Sequence, residues 1–120
     1  MNTRVEYLYR DGSNFKRWGA VVFRGTCAAT LVGRLFAALD HGEFFIAHQV
    51  RVPELFFADR PLYADDHCWH ELAEVTTTSE IPEDSLDRTI EEFVKEVEQL
   101  RKEGSAAKSI SDDEKLVQIT

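Results

Sequence analysis

The chain of 120 residues is poor in cysteine, proline and methionine, and each shortage closes off a class of structure. Its two cysteines, Cys27 and Cys68, lie far apart and form no CxxC pair. Neither a disulfide-stapled scaffold nor a cysteine-ligated zinc module is expected, and both residues read as reduced thiols of a cytoplasmic protein. No apolar run approaches the ~20 residues that a membrane-spanning helix needs. The opening Met1-Asn2-Thr3-Arg4 passes straight into an alternating pattern, without the apolar stretch of a secretion signal. The phosphate-cradling patterns GxGxxG and GxxxxGK[ST] are absent, as is the zinc-binding HExxH, so no cofactor and no metal is expected.

What is present suits one globular domain. Apolar residues make up 43% and charged residues 30%, enough to bury a core without staples. The net charge of −8 argues against non-specific binding to nucleic acid or to an anionic membrane. That charge is unevenly spread. Residues 1–24 carry five cations (Arg4, Arg10, Lys16, Arg17, Arg24) against Glu6 and Asp11, whereas residues 79–103 carry nine acids against four bases. A basic end facing an acidic end favours attraction between copies, hence a homodimer.

Periodicity supplies the elements. Val5, Tyr7 and Tyr9 alternate with Glu6, Leu8 and Arg10 as a strand does, and Phe15–Arg24 runs back as a second strand after the turn Asp11-Gly12-Ser13-Asn14. Gly19 within it predicts a bulge or a close approach. Ala28, Leu31, Val32, Leu35, Phe36 and Leu39 recur at helical spacing, predicting a helix from about Cys27 to His41, with Thr26 as N-cap and Gly42 as its C′ residue. Gly33 inside that helix suggests close packing. Glu43–Val50 reads as a third strand, the apolar stretch 53–63 as an irregular connection and His67–Ser79 as a fourth strand. Leu86, Ile90, Phe93, Val94, Val97 and Leu100 form the clearest amphipathic stripe, capped by Asp84 or Ser85 and closed by Gly104. The expected fold is α+β in the order ββαββα, a mostly antiparallel sheet with two helices packed on one face. The domain spans 1–104, and a polar tail, 105–120, is left for a sheet edge or a neighbouring subunit to hold.

The densest chemistry lies in Asp65-Asp66-His67-Cys68-Trp69-His70-Glu71. On a strand, His67, Trp69 and Glu71 share one face, and Asp66, Cys68 and His70 the other. Residues four apart on a strand lie about 13 Å from each other, too far to hold one ion. The chemistry open to this stretch is general acid–base work, with His67 or His70 as the base and Asp66 or Glu71 orienting it. A second candidate is the hairpin end. Arg10, Lys16 and Arg17 suit an anion, Tyr9 or Phe15 a stacked ring, and Asp11, Asn14 and Trp69 complete a ligand-binding set.

The segments Tyr7–Lys16 (YLYRDGSNFK) and Asp65–Leu72 (DDHCWHEL) resemble small bacterial and phage-related proteins with a YxYRDxxN[FY]K start and a DxHxWHE segment. The resemblance spans most of residues 5–95 and implies a bacterial or phage-related cytoplasmic protein. It implies no activity and no site residues. Three functions are therefore expected in turn. The first is a non-enzymatic binding module for a protein partner or a nucleotide-like anion. The second is a small histidine- or metal-dependent hydrolase of the phosphodiester type. The third is an immunity-type protein whose acidic helix covers a basic partner.

Overall fold

Alternating burial along the first strand sets the plan of the molecule. In β1 (Asn2–Arg10), Thr3, Val5, Tyr7 and Tyr9 are buried while Arg4, Glu6 and Arg10 are only partly so. The computed structural model describes residues 1–10, 14–55 and 69–108 of the chain. After β1 come β2 (Lys16–Phe23), α1 (Ala29–Ala38), β3 (Phe44–Ile46), β4 (Trp69–Thr78) and α2 (Ile90–Lys108). The four strands form one sheet in the order β2-β1-β4-β3, and every pairing is antiparallel. The protein is thus α+β, with two helices beside a four-stranded antiparallel sheet. Among the described residues no helix is long and apolar enough to cross a membrane.

Val5 and Tyr7 of β1, Val21 and Phe23 of β2, Phe45 of β3 and Leu72 of β4 join Leu35 and Leu39 and the stripe Ile90, Phe93, Val94, Val97 in one core cluster. Phe23 and Phe93 stack with their centroids 4.4 Å apart, tying sheet to helix. Among these apolar groups sits Arg88, whose side chain is 7% exposed. Its guanidinium donates to both Asp84 oxygens, to Glu96 Oε1 and to the carbonyls of Val50 and Arg51, all at 2.9–3.1 Å. Its five N–H donors are all met, as a buried cation requires. The guanidinium carbon also lies 5.4 Å from the Phe23 ring centre and 5.2 Å from that of Phe93.

Several elements differ from the expectation, each for a local reason. α1 starts at Ala29 with Ala28, which has no polar side chain, at the cap, and the Thr26 hydroxyl donates to the Met1 carbonyl. It ends at Ala38, and His41 and Gly42 take left-handed φ of 54° and 72° in the turn beyond. Gly33 is not a packing glycine: a Cβ there would meet nothing within 4 Å. Gly19 sits in unbroken register opposite Tyr7, so the close approach comes from a side chain, Leu55, whose Cδ2 lies 2.8 Å from where a Cβ would be. The sheet's irregularity falls in β4, where Ala73 is the extra residue between Glu74 opposite Glu6 and Leu72 opposite Tyr7. The third strand stops at Ile46, since the buried Ala47 opens a 3-10 turn and its carbonyl accepts from both Val50 and Val52. α2 starts at Ile90 rather than Leu86. Thr89 and Glu92 exchange side-chain-to-backbone bonds of 3.1 and 2.9 Å, a reciprocal capping box, while Asp84 serves Arg88. Gly104 does not end the helix, which continues to Lys108. The rest of the expected tail, 109–120, lies outside the described residues.

Candidate functional site

Strand alternation decides where the acid–base candidates go. His70 and Glu71 are successive residues of β4 and therefore face opposite sides of the sheet. His70 is 0% exposed, on the core side, ringed by Tyr9, Tyr7 and Phe45 with centroids 5.3, 5.9 and 5.9 Å away. Its Nε2 accepts the backbone N–H of Leu55 at 3.0 Å, which engages that nitrogen's lone pair and puts the proton of the neutral ring on Nδ1. Nearby, the Tyr7 hydroxyl donates to the Pro53 carbonyl at 2.6 Å, and burial pushes its phenol well above the ordinary tyrosine value. Together His70 and Tyr7 fasten residues 53–55 to the sheet. Asp66 and His67, the remaining acid–base candidates, lie outside the described residues.

Glu71 faces the other side of the sheet. Its two oxygens accept from Arg10 Nε at 2.9 Å and Nη2 at 3.2 Å, a forked ion pair across the neighbouring strands β1 and β4. Arg10 Nη1 donates to Asn14 Oδ1 at 2.6 Å, and Asn14 takes a left-handed φ of 68° that its short amide tolerates. Arg10 thus braces the base of the hairpin against β4. Lys16, Trp18 and Ala20 of β2 share this outer face with Arg10, Trp69 and Glu71, while Arg17 projects from the core-side row. Lys16 and Arg17 are exposed and Trp69 is partly buried. Tyr9 is buried beside His70, where it supports the hairpin end from beneath. Asp11, the other acid expected here, lies outside the described residues.

The structure adds Trp18 to the expected set and places Phe15, expected as a stacking ring, in solvent beside it. Trp18 is 54% exposed and Phe15 61%, both at the hairpin end. The available signal was the cluster Phe15-Lys16-Arg17-Trp18, in which two cations between two aromatics mark a solvent-facing strand start. The acids of α2, by contrast, are largely answered within the chain. Glu91 meets Lys95 at 3.5 Å, and Glu98 takes both arms of Arg34 at 2.9 and 2.7 Å rather than Lys102. Hydrogen bonds from Arg51 hold Glu96 below the ordinary glutamate range, and Arg88 adds to that pull against the effect of burial. Among the described residues no group of three or more His, Cys, Asp or Glu side chains comes together to hold a metal ion. His48 pairs with Glu54 at 3.1 Å, and Cys27 is a half-buried free thiol whose pKa burial raises. No protein-family model, no curated protein and no solved structure matches this chain.

Proposed function

We propose that the protein is a non-enzymatic binding module whose recognition surface is the hairpin end of the sheet, built on Arg10, Asn14, Phe15, Lys16, Arg17, Trp18 and Trp69, and that its ligand is an anionic molecule or an acidic protein segment. The observation that carries this reading is the contrast between engaged and exposed groups. His70 and Glu71 are committed to Leu55 and Arg10, whereas the side chains of Lys16 and Trp18 stand exposed at the hairpin end. Cations beside exposed aromatics suit an anion or a negatively charged partner. Arg10 contributes by tying Asn14 to Glu71 of β4. The hydrolase reading would have to draw its acid–base pair from Asp66 and His67.

The test is a thermal-shift series with nucleoside triphosphates and with polyglutamate, on the native chain and on a Lys16→Glu/Arg17→Glu variant. A ligand at a hundredfold excess over its dissociation constant adds about 2.7 kcal/mol by mass action, a rise of several degrees. The expected result is a rise with one of these polyanions that the charge-reversed variant loses. No rise with either, or an undiminished rise in the variant, overturns the reading.

A further inference from the structure

The two helices meet along a pair of matching spacings. α1 presents Arg34, Ala37 and Ala38, and α2 presents Glu98, Arg101 and Lys102, each set at i, i+3 and i+4 and so on one face of its helix. Between them lies an open groove of about 400 Å³, within the size range of small-molecule sites, and among the described residues it is lined by these six. Three of the six are cations and one is a carboxylate, the reverse of the balance along residues 79–103. Two of the cations are held in place. Arg34 gives Nε and Nη2 to Glu98 at 2.9 and 2.7 Å, and Arg101 Nη1 reaches the Leu39 carbonyl at 3.1 Å and Asp40 Oδ1 at 3.4 Å. Lys102 is exposed on the rim. The Arg34 hydrogen bonds, with the charges of Lys102 and Lys95, hold Glu98 below the ordinary glutamate range.

We infer that this groove binds a small phosphate monoester that also carries a hydroxyl group. The site lies on the helical layer and does not depend on the hairpin end. Charge selects the anion. Cations exceed carboxylates by two in the described lining, and they still outnumber acids when Asp40 is counted. A phosphate monoester carries about −1.5 to −2 near neutral pH, which matches that surplus. The existing bonds orient the site rather than block it. A guanidinium has five N–H donors and the fork to Glu98 uses two of those on Arg34, so the group is positioned before a ligand arrives. Lys102, on its flexible stem, closes on the phosphate as a point charge. An ionised carboxylate has about four acceptor positions, and the same fork takes two at Glu98, so Glu98 can accept a hydroxyl from the ligand's body. Its charge repels a second anionic group, which disfavours a nucleoside triphosphate here. The methyls of Ala37 and Ala38 suit the ligand's carbon atoms.

The probe is glycerol 3-phosphate, with glycerol and inorganic phosphate as controls, added to the full-length protein while NMR follows the Ala37 and Ala38 methyl signals. The expected result is a saturable shift of both methyls with a dissociation constant on the order of 1 mM. Inorganic phosphate should bind several-fold more weakly, and glycerol should shift nothing. Lys102→Glu, an exposed change that leaves the core alone, should weaken binding about tenfold or more. Lys95→Glu makes the same charge change on α2 outside the lining, and screening should keep its effect within about threefold. Ala37→Glu, which sets a carboxylate in the groove, should abolish the shift of the Ala38 methyl. No saturable shift, an equal shift with glycerol, equal affinity for inorganic phosphate, or equal weakening by the two lysine variants overturns the inference. Shifts confined to the Lys16–Trp18 end overturn it as well, while leaving the hairpin reading in place.

Discussion

Two arginines mark the two ends of the sheet, and they are used in opposite ways. Arg88, beside the far end of β2, is buried and has each donor matched by a carboxylate or a carbonyl. Arg10, at the hairpin end, shares a forked pair with Glu71 and a bond to Asn14 while its side chain is still 35% exposed. The first arrangement has no freedom left and joins three separate stretches: the turn at Val50–Arg51, the segment before α2 and α2 itself. The second is partly in water, with the exposed Phe15, Lys16 and Trp18 on its β2 side. One end of this small domain is locked by a buried cation, and the other carries its arginine at the surface.

The largest way to break that contrast is Arg88→Met. It leaves Asp84 buried without its partner, and a loss of about 3–5 kcal/mol is expected in urea unfolding. His70→Ala comes next, removing both a packed ring and the acceptor for Leu55 N–H, at about 3 kcal/mol, whereas His70→Gln should lose less because an acceptor remains. A pH series sharpens the comparison further. Burial raises Asp84, but hydrogen bonds from the Arg88 side chain and backbone outweigh it, so Asp84 and Glu96 both titrate lower in the folded chain than in the unfolded one. Their contribution is complete above about pH 5 and is lost as the pH falls below the ordinary carboxylate range, through their lowered folded-state values. Glu96→Gln should flatten that acid limb. Smallest of all, Trp18→Ala should leave stability within about 0.5 kcal/mol, while weakening any ligand held at the hairpin end.

Much of the scaffold was legible along the chain because its causes are local. The stripe Ile90, Phe93, Val94, Val97 marks α2, and the alternation of Val5, Tyr7 and Tyr9 marks β1. Asp84 and Arg88 stand at the i,i+4 spacing that often signals a pair, yet what makes Arg88 central are the carbonyls of Val50 and Arg51, which no periodicity reveals. The same holds for His70: nothing in the run from Asp65 to Glu71 says that a backbone N–H from Leu55 will occupy its ring nitrogen. The exposure of Trp18 was not legible either, because strand patterning does not tell an edge from a centre. That distinction came from the strand order, which is set by pairings between distant residues.

That strand order also governs how the chain can acquire its shape. β1 lies between β2, its near neighbour along the chain, and β4, which follows only after both α1 and β3. The hairpin can close early, with Arg10 opposite Lys16, but the inner border of β1 waits until Trp69–Thr78 has been made. During synthesis on the ribosome, a half-finished sheet carrying Tyr7 and Tyr9 persists while the 55 residues from Arg24 to Thr78 are added. Distant pairings of this kind slow folding and lengthen the time during which such a border is open to other chains. A product truncated before β4 is therefore the form of this protein most prone to clump, and the form a holding chaperone would meet first.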